Sequence, residues 1–344
     1  MNDTTNLRDQ RNALRSRRAL VLGATGGIGG ELARGLLARG WQVRALHRGA
    51  THPAHWARAI EWRRGDAMNA ADVAAAAEGV ELVVHAVNPP GYRRWAELVL
   101  PMVDNSIAAA ERVGARILLP GTVYNYAPDD FGGSAIAEDA PQRASTRKGA
   151  IRVEMEARLA AAAARGVPVL ILRAGDYFGV GTPNSWFAST LVKPGRPVGS
   201  IIYPGARGVG HQWAYLPDVA ETAMRLLDRS EALPTFARFH LDGHWDADGS
   251  AMLDAIQRVV GQRSVFRLPW SLVRATAPVV PLCRELSEMR YLWRQPLRLS
   301  NAALVAELGA EPHTPLDEAV RATLVGLGCV PAAAMLAQRS DATV

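Results

Sequence analysis

Residues 18–23, RALVLG, make a short apolar run suited to a buried parallel strand. The period then changes. In GIGGELARGLLARG, Ile28, Leu32 and Leu36 recur every fourth residue, and Gly40 stands where a helix commonly ends. Strand-like and helix-like stretches continue in alternation. WQVRALHR is a second strand ending at Arg48, and AIEWRRGD runs to Gly65-Asp66. VELVVHAV and RILLPGTVYNY follow, and VPVLILRAGDYFG is a sixth strand. Just before that last strand, RKGAIRVEMEARL places Ile151, Met155 and Leu159 on one helix face and Lys148, Arg152 and Glu156 on another. Right-handed crossovers turn such alternation into an α/β fold with a doubly wound parallel sheet.

The order strand, glycine turn, helix is the one a dinucleotide pyrophosphate needs. In GATGGIGG, Gly23 permits the tight turn, Gly26 lets the backbone approach the phosphates, and Gly29 lets helix and strand pack closely. The helix N-terminus adds free N–H groups and the positive end of its dipole. The expected cofactor contacts here are Gly23, Thr25, Gly26, Gly27, Ile28 and Gly29. The second strand ends in Arg48, with no carboxylate nearby to bond a ribose 2′-hydroxyl. An arginine there suits a 2′-phosphate, so NADP is the expected cofactor, with NAD as the alternative. Asp66 would accept a bond from the adenine amine, and Ala67, Ala86 and Val87 complete the expected binding set.

Composition narrows the function. The 344 residues are 49% hydrophobic and 21% charged, ordinary for a globular enzyme. The net charge of +6 includes +3 from the first eighteen residues, where five arginines face Asp3 and Asp9. Residues 1–17 read as a flexible basic tail. The remaining charge is too dilute for a nucleic-acid partner. No run of about 18 uncharged apolar residues occurs, so no membrane partner is expected. Cys283 and Cys329 are not spaced as metal ligands and suit a reducing, cytoplasmic setting. No metal site is expected.

GATGGIGG, Asp66 in RGDAMN, VVHAVN, Asn105 in VDNSIAAAERVGA and VYNY together resemble the short-chain dehydrogenase/reductase superfamily. The branch they resemble is the extended one, that of NAD-dependent epimerases and dehydratases. LRAGDYFG, WAYLPDVAETAMRLL and ELGAEPHTPLDEAVRATL resemble its later segments, so the likeness spans about 18–328. It implies a Rossmann domain of 18–175 plus about 210–243. It also implies a smaller mixed α/β C-terminal substrate domain of 176–209 plus 244–344. A homodimer is possible. Within the last segment, Thr314 is a candidate N-cap, with Leu316, Val320 and Leu324 as the buried stripe.

The family's chemistry uses a Ser/Thr after strand five and a Tyr-x-x-x-Lys pair on the next helix. In that register Lys148 stands at the tyrosine and Arg152 at the lysine. Pro120 or Gly121 falls in the serine neighbourhood, and Thr122 is the nearest hydroxyl. KGAIRVEME is more similar to isoflavone-reductase-like and NmrA-like members. Lysine is rare here, occurring only at 148 and 193. Were Ser145 the N-cap, Lys148 would sit in the first turn. The helix dipole and Arg152 would then favour a neutral amine able to exchange a proton with substrate. The alternatives are a Lys148 that holds the nicotinamide ribose, or a solvated face with an Arg152–Glu156 pair.

The catalytic candidates are therefore Lys148, Tyr124 and Thr122. His85 is a candidate cofactor neighbour, and His211 stands where nucleotide-sugar members often carry an arginine. Trp186, Phe187, Trp213, Tyr215 and Trp245 are aromatic material for a pocket. The expected function is NAD(P)-dependent, NADPH-preferring hydride transfer to or from a carbonyl or hydroxyl of a small molecule. The alternatives are a nucleotide-sugar epimerase or dehydratase with retained cofactor, and a non-catalytic NmrA-like NADP sensor.

Overall fold

The computed structural model describes residues 17–49, 55–89, 95–182 and 185–331. The basic tail expected at 1–17 lies outside them except for Arg17. Seven parallel strands form the main sheet: β1 (Arg18–Leu22), β2 (Gln42–His47), β3 (Glu61–Arg64), β4 (Leu82–His85), β5 (Arg116–Thr122), β6 (Val169–Ala174) and β10 (Phe236–His240). Their spatial order is β3-β2-β1-β4-β5-β6-β10, so the winding reverses between β1 and β4. A crevice opens beyond the strand C-termini at such a reversal.

Side-chain alternation along the strands sets the layers. Ala19 and Val21 of β1 join Leu32 and Leu36 of α1 (Gly27–Ala38) on one face. Val219, Ala223 and Leu227 of α5 (Leu216–Asp228) complete that layer. Leu20 and Leu22 point the other way. They meet a layer built by α2 (Ala70–Ala76), α3 (Trp95–Val113) and α4 (Arg147–Ala164). Ile151, Met155 and Leu159 of α4 pack there, the first partly and the others fully buried.

The sixth expected strand is two. Gly175 breaks it, and β7 (Asp176–Phe178) leaves the main sheet to pair with β9 (His211–Tyr215), which pairs in turn with β11 (His244–Asp246). A two-stranded ribbon joins β8 (Ile201–Tyr203) to β12 (Val265–Arg267). Around these lie α6 (Ala251–Val260), α7 (Trp270–Thr276), α8 (Pro281–Glu288) and α10 (Leu316–Gly326), whereas α9 (Ala302–Leu308) packs on β10 and puts Leu304 into the layer of α1 and α5. Phe187, Trp213, Trp293, Val320 and Leu324 share their core.

A buried polar cluster ties α4 to β6. Arg173 is fully buried and grips Glu156 with two nitrogens, Nε at 2.9 Å from Oε1. Asn125 and Gln142 donate to the same carboxylate at 2.9 Å each, and Arg173 also meets Tyr126 and His240. Glu156 therefore does not pair with Arg152, as the helix face alone suggests. Thr314 is likewise no helix cap. Its N–H and hydroxyl both donate to Asp218, at 2.8 and 2.7 Å, and Pro315 precedes α10 directly.

Candidate active site

A cleft of about 680 Å³ lies along the C-terminal edge of the sheet, at the β1/β4 reversal. Its floor is the turn between β1 and α1. Gly23 adopts φ +91°, and a Cβ there would come within 2.5 Å of the Ala86 carbonyl oxygen. Only glycine allows both that backbone and that approach. Gly29 faces the Gly23 carbonyl from the first turn of α1 and stands behind the lining rather than in it. No side chain caps α1, so its first N–H groups open toward the cleft. A turn with glycine at 23, 26 and 27 leading to an uncapped helix start fits a pyrophosphate.

Gly23, Thr25, Gly26, Gly27, Ile28, Arg48, Asp66, Ala67, Ala86 and Val87 all line this cleft. Arg48 is exposed at its rim beside His47. Asp66 Oδ1 accepts the Met68 N–H at 3.0 Å, which folds the β3 loop inward. Asn105 Nδ2 donates to the Ala67 carbonyl at 2.8 Å and fixes the same loop from α3. His85 does not line the cleft. It is buried, its Nδ1 is 2.8 Å from Ser106 Oγ, and burial with the nearby Arg152 charge lowers its pKa to about 3.

Thr122 and Tyr124 reach the far end of the cleft, together with Asp176, Tyr177, Ser185 and Trp186. Thr122 Oγ1 accepts the Tyr124 N–H at 3.3 Å and so caps the 3-10 turn that carries the phenol. Tyr124 Oη donates to Asp176 Oδ1 at 3.4 Å. Asp176 Oδ2 lies 2.9 Å from His211 Nε2, and His211 Nδ1 lies 3.3 Å from the Leu292 carbonyl. The imidazole is 5% exposed and stacks on Trp293 at 3.8 Å. A carbonyl only accepts, so Nδ1 carries hydrogen. His211 thus bridges Asp176 and the Leu292 carbonyl at the end of the cleft. Beside this pair, Tyr177 donates to the Gly121 carbonyl at 2.8 Å, and burial raises its pKa.

Lys148 is not in the lining. Thr146, not Ser145, caps α4 by accepting the Gly149 N–H at 3.0 Å, which puts Lys148 in the second helical position. Its Nζ is 2.8 Å from Glu285 Oε2 and 3.9 Å from Glu288 Oε2, and its N–H donates to Glu288 Oε1 at 2.8 Å. The side chain is 3% exposed. Lys148 thus faces carboxylates of α8 in place of the open cleft that its helix position suggests. Also on α4, Arg152 bears by its charge on both His85 and Tyr177, and its guanidinium lies over Trp95 at 5.1 Å.

Asp176 was not singled out from sequence. Its signal is a carboxylate directly after Gly175 at the C-terminal edge of the sheet, in GDYFG. Of the expected aromatics, Trp186 lines the cleft, whereas Phe187 and Trp213 are core.

Residues 19–241 match the NAD dependent epimerase/dehydratase family. No curated protein matches the chain. Among solved structures, the UDP-glucose 4-epimerase of Thermus thermophilus in complex with NAD is 23% identical, with a TM-score of 0.71 over 91% of this chain and 100% of that one. The dTDP-glucose 4,6-dehydratase DesIV of Streptomyces venezuelae, with NAD and TYD bound, is 17% identical (TM-score 0.69, covering 90% and 96%). A monomeric L-threonine 3-dehydrogenase from a metagenome is 14% identical (TM-score 0.72, covering 90% and 98%). The family match covers well over half of the chain, and the glycine cradle lies within it: the chain belongs to the NAD dependent epimerase/dehydratase family and is an NAD(P)-dependent enzyme.

Proposed function

We propose that this enzyme moves a hydride between NADP(H) and the carbonyl or hydroxyl carbon of a small molecule, with Tyr124 exchanging the hydroxyl proton. The supporting observation is the chain Tyr124–Asp176–His211 at the end of the cofactor cleft. Bound in the cradle, the dinucleotide would supply or accept the hydride. Gly23, Gly26 and Gly27 would hold its pyrophosphate, Asp66 its adenine, and Arg48 the 2′-phosphate that favours NADP.

In the reducing direction Tyr124 Oη gives its proton to the carbonyl oxygen as the hydride adds to the carbon. Asp176, which touches the phenol at Oδ1 and His211 at Oδ2, is the group through which the phenol would be reprotonated, with His211 as the donor behind it. In the reverse direction the phenol passes the alcohol proton back to the pair. This arrangement replaces the Tyr-x-x-x-Lys pair of the family. Thr122 positions the phenol through the Tyr124 N–H. Such proton transfer contributes ~10²–10⁴-fold.

The test is mass spectrometry of small molecules retained by the purified protein, followed by NADPH oxidation with carbonyl compounds and with nucleotide sugars. Consumption of NADPH by a carbonyl supports the reading. Inversion of a sugar without consumption replaces it with an epimerase, and tight NADP binding without turnover replaces it with a sensor.

A further inference from the structure

We propose that the face formed by β12, α7 and the turn into α8 docks on an anionic lipid surface. Eight large hydrophobic side chains are strongly exposed among the described residues, and five of them lie between 265 and 280. These are Val265, Phe266, Leu272, Val279 and Val280; Phe266 is 57% exposed, Leu272 60% and Val279 79%. Val273 is buried and anchors α7 inward, which leaves Leu272 and Ala275, three residues apart, on its outer side. Concentrated exposure of this kind marks an interaction surface.

The charge of the same stretch specifies the partner. Residues 261–295 hold six arginines and two glutamates, a net +4. With +3 in the first eighteen residues and +6 in all, the rest of the chain sums to −1. Arg263, Arg267, Arg274, Arg284 and Arg294 are exposed. The two carboxylates, Glu285 and Glu288, turn toward Lys148, and Glu285 also meets Arg284 at 3.8 Å. The outward side therefore mixes apolar tips with guanidinium groups, while the two carboxylates of the stretch are mostly covered and engaged by Lys148. That combination of insertion and headgroup attraction holds a protein at a bilayer surface. A second copy would bring the same positive charge against itself. The five apolar side chains line neither the cofactor cleft nor the recess of about 500 Å³ walled by Ser287, Arg290, Tyr291 and Arg294. Docking is peripheral, since no described helix is long and apolar enough to cross a membrane.

The experiment is cosedimentation of the full chain with vesicles of phosphatidylglycerol mixed with phosphatidylcholine, against phosphatidylcholine alone, at low and high salt. Binding to the anionic vesicles only, reversed by salt, is expected. The pair Leu272→Asp with Val279→Asp, and the pair Arg274→Gln with Arg284→Gln, should each weaken it about tenfold or more. NADP binding by both variants serves as the check that they are folded. No binding to either vesicle, equal binding to both, or binding that neither pair alters would overturn the proposal. So would a wild-type dimer in light scattering that the Leu272→Asp, Val279→Asp pair converts to monomer.

Discussion

Lys148 Nζ and Glu285 Oε2 lie 2.8 Å apart, joining the first turn of α4 to the body of α8. The backbone of the same lysine is held by Glu288, so one residue fastens two carboxylates of α8 to the helix that flanks the main sheet. Lys148→Met leaves both glutamates unpartnered by the ammonium. We expect a loss of about 2–4 kcal/mol in denaturant unfolding, less than for a fully buried pair because the glutamates retain some exposure. Turnover should fall far less than in Tyr124→Phe, and adding Glu285→Gln should recover part of the stability. A turnover loss equal to that of Tyr124→Phe, without loss of stability, would return Lys148 to the chemistry.

Tyr124→Phe removes the phenol and keeps its ring. The rate should drop ~10²–10⁴-fold with NADP(H) affinity unchanged. Asp176→Asn keeps the shape of the relay and removes its carboxylate, so its rate should fall with a changed pH profile. An unaltered profile in steady-state kinetics would remove Asp176 from the proton path.

Arg48→Ala should weaken NADP(H) binding about 10- to 100-fold, the loss of a charge-assisted phosphate contact, and leave NAD(H) binding as it was. Titration calorimetry with both nucleotides reads this directly.

Glu156→Gln keeps the volume at the centre of the buried cluster and strands the Arg173 charge. Removing one partner of such a pair costs about 3–5 kcal/mol. Thermal and chemical unfolding should both show it, whereas an equally stable variant would mean that Arg173 finds another partner among Tyr126, His240 and the strand ends.

Three histidines are held neutral by burial. The pKa values of His85 and His240 are lowered to about 3 and that of His244 to about 4. In the unfolded chain they protonate near 6.5. Between pH 6.5 and 4 the unfolded state therefore binds more protons, and stability falls as the pH falls. Each group contributes up to about 1.4 kcal/mol per pH unit. Acid titrations of stability should steepen below pH 6.5, and His85→Gln should flatten that slope.

The glycine turn, the parallel strands and the apolar stripe of α4 were legible in the sequence, because each is set by neighbours within one strand or one helical turn. Lys148 was not. Its position matches a catalytic register, while its partners lie 137 and 140 residues away. Glu156 shows the same limit: helix spacing offers Arg152, yet Arg173 reaches it from β6. Ser145 and Thr146 are equivalent caps by residue type, and only the backbone distinguishes them. Thr314 has the pattern of a cap and instead binds Asp218, a pairing 96 residues apart. Tyr124 and Thr122 were visible as hydroxyls past a strand end. Asp176 and His211 were not visible as a pair, because β7 and β9 meet only after the chain leaves the main sheet.

Gly27, at the start of α1, lies against Thr182, where a Cβ would strike the Thr182 methyl. Thr182 belongs to an arm after β7, braced by its own hydroxyl on the Gly179 carbonyl at 2.8 Å, and Gly181 and Thr182 both line the cleft. The start of α1 is thus in close contact with the arm that follows β7. Any side chain at position 27 would push Thr182 aside and reshape the cleft where these two segments meet, so the smallness of that one residue governs how closely the arm approaches the turn.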